Sequence, residues 1–230
     1  VIVDIQFNPG NNDWPVLRDA VLRAEAEGYD TTWVFDHFDG AMLSGDRPVL
    51  ECFTLLGALA AVTTSIRLGT LVANVANRHP AVLAAAAASV HRISGSRFTL
   101  GIGAGAAPGT NFAREHERLG IPLHDNIARR HHAVLDQIDV VRATATLPII
   151  VGVNSAALAA MAGRSADGIN VRMSHRRAAE FIEAARLASC EAGHACEISG
   201  WAMLSDDTAR DRAEAFGLDR LVLVNFGAIA

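Results

Sequence analysis

The chain contains no lysine: all twenty of the basic residues counted among its 230 are arginine. Schiff-base aldolases, pyridoxal enzymes and P-loop nucleotidases each need a side-chain amine at the site, so these classes are excluded. Cysteine is nearly as scarce. Cys52, Cys190 and Cys196 make an odd count of three with neither CxxC nor zinc-ligand spacing, and they read as buried free thiols in a reducing compartment. No apolar run reaches membrane-spanning length, the longest being broken by Arg67 and Arg92, and no basic leader-like stretch opens the chain. The net charge of −5 is spread without long runs, which gives no reason to expect nucleic acid or an anionic membrane as partner. The expectation is a soluble, cytoplasmic protein that acts on a small molecule.

Several catalytic signatures are missing as well. There is no HExxH and no HxH in the first strand, so no metal site is expected. His131 and His132 are adjacent, and a helix turns adjacent residues to different faces. His91, His116 and His124 read as surface residues of helices or loops. No GxSxG elbow supports a serine hydrolase.

What is present is a strict alternation of strand and helix in a chain of which half is apolar. The segment from Ile66 to Gly105 holds strand, loop, helix and strand with almost no slack. Ile66 to Val72 and Ser96 to Gly103 are short apolar runs of strand length, and Pro80 to His91 is an alanine-rich helix whose first turn tolerates the proline. The same rhythm predicts strands over Val1 to Phe7, Thr31 to Asp36, Leu147 to Gly152, Ala166 to Val171, Glu197 to Leu204 and Arg220 to Phe226. Helices are predicted over Pro15 to Glu27, Pro48 to Val62, Asp125 to Arg142, Ser155 to Arg164, His175 to Ala192 and Asp207 to Phe216, while Phe112 to Gly120 is ambiguous. Eight strands with intervening helices predict an α/β fold, a compact (β/α)8 TIM barrel with shortened connecting segments, over residues 1–230 as one domain.

Right-handed crossovers place the loops Ala73 to His79 and Ala104 to Phe112 on one rim, where barrels put their chemistry. Asp36 and His37 end the second strand on that rim; an imidazole there can move a proton near neutral pH, although a polar loop start would read the same way. Gly101, Gly103 and Ala106 match GxGxxA, but Pro108 and Gly109 interrupt the helix that a dinucleotide fold would present to pyrophosphate. Small residues at this point more simply let a flat group approach the backbone. Asn154 and Ser155 open a helix on the loop after the fifth strand, and Arg172 follows the sixth; together they suit an anion, or else are simple capping and a surface arginine.

Three stretches in order, EGYDTTWVFDHF, then ECFTLLGALAAVTTSIRLGTLVANVANRHPAVLAAAAASVHRISGSRFTLGIGAG, then PIIVGVNSAALAAMAGRSADG, resemble the bacterial luciferase-like monooxygenase family. Within it the chain looks most like the coenzyme F420-dependent oxidoreductases. The resemblance implies a flavin or deazaflavin ring at the carboxyl rim of the barrel, usually in a homodimer. It implies a non-proline cis peptide at Leu71-Val72 that supports the ring from behind, and His37 beside the reactive ring with Asp36 as a ligand-contacting neighbour. Cofactor contacts are implied for Asp36, Leu71, Val72, Ala73, Gly103, Asn111 and Gly152, with Asn154, Ser155 and Arg172 on the phosphate side. Arg176 and Arg177 near the rim would suit an acidic tail. Ala106 departs from the pattern, standing where some sugar-phosphate dehydrogenases of the branch carry a catalytic glutamate. Three functions remain open: F420-dependent hydride transfer with a small organic substrate, an FMN-dependent monooxygenase fed by a partner flavin reductase, and a non-catalytic flavin-binding protein.

Overall fold

The structure is a computed structural model and describes residues 1–10, 12–40, 49–227 and 229. In chain order its elements are β1 (Ile2–Phe7), α1 (Trp14–Ala26), β2 (Thr31–Val34), α2 (Cys52–Val62), β3 (Arg67–Thr70), β4 (Ala73–Asn74) and α3 (Pro80–Ile93). Then come β5 (Phe98–Gly103), a short 3-10 turn (Asn111–Ala113), α4 (Arg114–Leu119), α5 (Ile127–Thr144), β6 (Ile149–Val153) and α6 (Ala156–Ser165). The chain continues with β7 (Gly168–Arg172), α7 (Ala178–Ala192), β8 (Glu197–Met203), α8 (Ala209–Ala215) and β9 (Arg220–Asn225). Every pairing is parallel, in the order β3-β2-β1-β9-β8-β7-β6-β5-β4, and a direct pairing of β3 with β5 closes the ring. With β4 continuing β3 past a break, this is the closed eight-stranded (β/α)8 barrel that the alternation predicts.

The break falls at Leu71-Val72, whose peptide bond is cis. The expected third strand, Ile66 to Val72, is therefore split, with β3 pairing Leu68 to Phe98 and β4 pairing Ala73 to Ile102. Between these two pairings Thr70 does the work of a ladder partner. Its hydroxyl donates to Gly101 O at 2.6 Å and accepts from Gly101 N at 2.9 Å.

Apolar residues form two layers. The larger, including Leu68, Leu100, Ile102, Val151 and Ile169, packs strands against helices; the smaller, built on Trp33, Phe35, Leu71, Ile150, Val222 and Val224, fills the barrel interior. At the amino end of the barrel, Asp4 is fully buried between Trp33 Nε1 at 2.9 Å and Arg220 Nη1 at 2.7 Å. Burial pushes the Asp4 carboxyl up to about 6 even against the Arg220 charge.

Some expectations are revised. Helix α2 begins at Cys52, where the Glu51 carboxylate accepts from Thr54 N at 2.7 Å; the predicted start at Pro48 lies outside the described residues. The ambiguous stretch after β5 becomes the 3-10 turn and α4, stopped by Gly120 in the left-handed region at φ 68°. Of the three thiols, Cys52 is buried but Cys190 is exposed, because it falls off the α7 stripe of Phe181, Ile182, Ala185 and Ala188. Among the described residues no helix is long and apolar enough to cross a membrane.

A methyl group on Gly101 would lie 2.1 Å from Thr70 O, a backbone atom that cannot swing away. Gly101→Ala is therefore expected to cost about 3 kcal/mol in urea unfolding; a loss within error of zero would show that the β3 to β5 seam is not tight.

Candidate active site

The carboxyl ends of the strands surround a cavity of about 540 Å³. Its floor is Leu71 and Val72. The Val72 side chain rests on two glycines, since a Cβ on Gly103 would meet Val72 Cγ2 at 2.7 Å and one on Gly152 would meet Val72 Cγ1 at 2.9 Å. Any larger residue at either position would lift Val72 into the cavity.

Asp36, just past β2, lines the cavity but its carboxylate is committed elsewhere. Arg78 donates to both oxygens at 2.8 Å, Asn74 N donates at 3.1 Å, and Asn77 Nδ2 donates at 3.1 Å. Arg78 also pairs with Glu51, and its guanidinium lies over the rings of Phe38 and Phe53 at 5.2 and 4.9 Å. Burial opposes the Arg78 charge, but Asp36 and Glu51 outweigh it and raise the pKa further. Asp36 thus anchors the loop after β4 and at the same time lines the cavity, where the resemblance implies a ligand contact.

His37 Nδ1 lies 2.8 Å from Glu115 Oε1 on α4, and Glu115 Oε2 accepts from Phe38 N at 2.9 Å. A carboxylate only accepts, so Nδ1 carries the proton and Nε2 is the atom that can take or return one. Among the described residues nothing hydrogen-bonds Nε2. Burial works against the charged imidazolium, but the hydrogen bond and charge of Glu115, with Asp36 and Asp39 behind it, raise the His37 pKa. Glu115 shows the reciprocal effect: burial favours its neutral form, and His37 overrides this to lower its pKa.

The opposite charge is supplied by arginine. Arg130 on α5 lines the cavity with its Nε buried and without a partner among the described residues. A buried guanidinium nitrogen left unpaired is costly unless a ligand satisfies it. Asn154 and Arg172 also line the cavity, and Arg172 donates from Nε to Ser174 Oγ at 2.8 Å while stacking on Trp201 at 5.3 Å. Ser155 caps α6, accepting from Leu158 N at 3.2 Å, and does not line the cavity. Arg177 is engaged by Glu180 at 2.5 Å.

Of the sequence-derived set, Asp36, His37, Leu71, Val72, Gly103, Gly152, Asn154 and Arg172 meet at one cavity. Ala73 is fully buried behind it, and Asn111 is exposed in the 3-10 turn while its neighbours Thr110 and Phe112 line the wall. Sequence reasoning missed Glu115 and Arg130, and it placed His116 on the surface, where the structure buries it at 1 % exposure. The only signal for Glu115 and His116 is an acid and an imidazole inside a rim loop of ambiguous structure. Among the described residues no cluster of three or more His, Cys, Asp or Glu side chains is placed to hold a metal ion.

A family model described as luciferase-like monooxygenase matches residues 5–217. A 5,10-methylenetetrahydromethanopterin reductase of Archaeoglobus fulgidus is 28% identical over 217 residues, covering 84% of this chain and 61% of that protein. An F420-dependent glucose-6-phosphate dehydrogenase of Kineococcus radiotolerans is 35% identical over 121 residues, covering 50% of this chain and 34% of that protein. The chain thus spans about a third to just over three fifths of the length of these curated relatives. Among solved structures, an F420-dependent secondary alcohol dehydrogenase in complex with an F420-acetone adduct superposes with a TM-score of 0.81 at 14% identity, over 100% of this chain and 95% of that one. At that identity the likeness is one of fold.

The His37 and Glu115 pair has a pH signature. The raised His37 pKa contributes stability in full below its unfolded value of 6.5, lost as pH rises through the folded value. The lowered Glu115 pKa contributes above its unfolded value of 4.5, lost as pH falls through the folded value. Glu115→Gln is therefore expected to destabilise by about 2 kcal/mol near pH 5.5 and by clearly less at pH 9. Equal losses in urea unfolding at both pH values would separate the two side chains.

Proposed function

The chain belongs to the luciferase-like monooxygenase family, and on that premise we propose that it is an oxidoreductase that binds the deazaflavin coenzyme F420 in this cavity and exchanges hydride with a small organic substrate. The observation that carries the reading is a single cavity lined at once by His37 and Glu115 and by the unpaired Nε of Arg130, over a floor kept flat by Gly103 and Gly152. The donor set fits such a group: small residues beneath for a planar ring, a guanidinium and the Asn154 amide for an anionic arm. When bound, a deazaflavin supplies hydride chemistry, because carbon replaces the reactive nitrogen of the flavin.

The protein's own share is to hold and to move a proton. Val72 and Leu71 support the ring, Arg130 with Asn154 and Arg172 holds the arm, and His37 Nε2 takes or returns the substrate proton. Asp36 keeps His37 and the loop after β4 in place rather than touching the ligand. The curated glucose-6-phosphate dehydrogenase relative supports F420. Ala106, standing where some sugar-phosphate dehydrogenases of the branch carry a catalytic glutamate, argues against a sugar phosphate as substrate. A homodimer completes the reading, with the uncharged, exposed Ala61, Val62, Ala81, Val82 and Ala85 of α2 and α3 as its contact face.

A second reading, FMN as cofactor with a partner reductase, is favoured by the monooxygenase description of the matched family. Oxygen uptake during turnover separates the two.

Titration with F420 and with FMN, followed by fluorescence, is expected to give micromolar binding of F420; no binding of either below about 1 mM removes the assignment. His37→Ala should lower turnover with little change in cofactor affinity, and an unchanged rate would remove its role in proton transfer. Arg130→Ala should weaken cofactor binding about tenfold or more, and an unaltered Kd would take Arg130 out of the arm site.

A further inference from the structure

His116 is the buried titratable group that the reading above leaves unused. Its Nε2 lies 2.9 Å from Asn74 Nδ2 and 2.7 Å from Asn77 Oδ1. Neither amide is free to turn over. Asn74 Oδ1 accepts from Ala76 N at 2.9 Å, which keeps its NH₂ toward the imidazole. Asn77 Nδ2 donates to Asp36 O at 3.2 Å and Asp36 Oδ2 at 3.1 Å, which keeps its oxygen toward the imidazole. One nitrogen is thus asked to accept from Asn74 and to donate to Asn77, and no neutral tautomer does both. With the proton on Nδ1 the Asn74 contact is met; with the proton on Nε2 the Asn77 contact is met. The two tautomers each leave one contact unmet, so neither amide selects between them.

The tautomer decides what Nδ1 presents. Nδ1 is buried with no hydrogen-bond partner among the described residues, and it lies 4.0 Å from Glu115 Oε1, the oxygen that His37 Nδ1 meets at 2.8 Å. One carboxylate oxygen therefore faces two imidazoles. The other charges around His116 are Asp36 and Arg78, reached through Asn77, and the Arg118 pair with Asp39 farther along α4.

We propose that His116 is a positioning residue that shares Glu115 with His37, so that the proton carried by His116 sets how strongly Glu115 holds the proton of His37. A proton on His116 Nδ1 satisfies part of the Glu115 charge and loosens its hold on His37; a bare Nδ1 leaves Glu115 to His37 alone. The consequence for turnover rests on the assignment of His37 as the proton-handling group. The coupling itself needs neither cofactor nor substrate, so its failure and the failure of the redox reading are distinguishable.

The test is histidine ¹⁵N NMR on the cofactor-free protein across pH, with wild type, His116→Phe, Glu115→Gln and the double variant. His116→Phe is expected to raise the His37 midpoint by about half a unit or more, Glu115→Gln to lower it, and His116→Phe to have no further effect once Glu115 is Gln. A His37 titration unchanged by His116→Phe, or changed equally in the Glu115→Gln background, would overturn the proposal. The wild type gives a second reading that does not depend on any variant folding. Its neutral His116 is expected to show ¹⁵N shifts intermediate between the two tautomers, and the shifts of one pure tautomer would overturn the proposal as well.

Discussion

The ion pair between Asp36 and Arg78 is the constraint on which the rim of this barrel depends. Both carboxylate oxygens and both terminal guanidinium nitrogens are used, with the pair buried against Phe53 and Phe38. Such a pair adds little net stability over an apolar substitute, yet losing one partner strands the other charge and costs about 3 to 5 kcal/mol. Its contribution is one of position. It ties the end of β2 to the loop after β4, reaches α2 through Glu51, and orients Asn77 toward α4. His37, Glu115 and His116 are set by what surrounds this anchor.

Arginine performs this role throughout a chain without lysine. Arg97 gathers the carbonyls of Ala60, Thr63, Ile66 and Ser94 into one clasp, and Arg220 joins Asp4, Asp30 and Glu197 at the amino end of the barrel. A planar fork with several fixed donors suits such multiple contacts better than an ammonium does. Each of these arginines has its partners inside the fold. Arg130 and Arg212 differ from these in having a buried Nε without a partner among the described residues, and of the two it is Arg130 that lines the cavity.

The chemistry of the site follows from unequal burial of paired groups. Glu115 stays charged because His37 and the Phe38 amide reward the carboxylate more than burial penalises it. His37 is in turn biased toward the imidazolium while its Nε2 carries no protein hydrogen bond among the described residues. A ring so biased takes up a proton at Nε2 readily and gives it back less readily, a balance suited to a general base.

The order of strands and helices was legible in the residues because parallel strands buried on both faces leave unbroken apolar runs and the connecting helices leave periodic ones. So were His37, Asp36 and the glycines at 103 and 152, since strand ends on the carboxyl rim are marked by where the runs stop. The partners of these residues were not. Glu115, His116 and Arg130 sit within helices where no period marks them, and they matter because the closed ring brings Glu115 and His116 within hydrogen-bond distance of residues up to 78 positions away and sets Arg130 in the cavity wall. Sequence alone thus determined the barrel and which strand ends could bear chemistry, because those depend on local periodicity. Only the tertiary structure decided that Asp36 pairs with Arg78, that His37 has a carboxylate behind it and that Arg130 brings a buried, unpartnered Nε to the cavity among the described residues, because burial and pairing between distant segments exist only once the ring is closed.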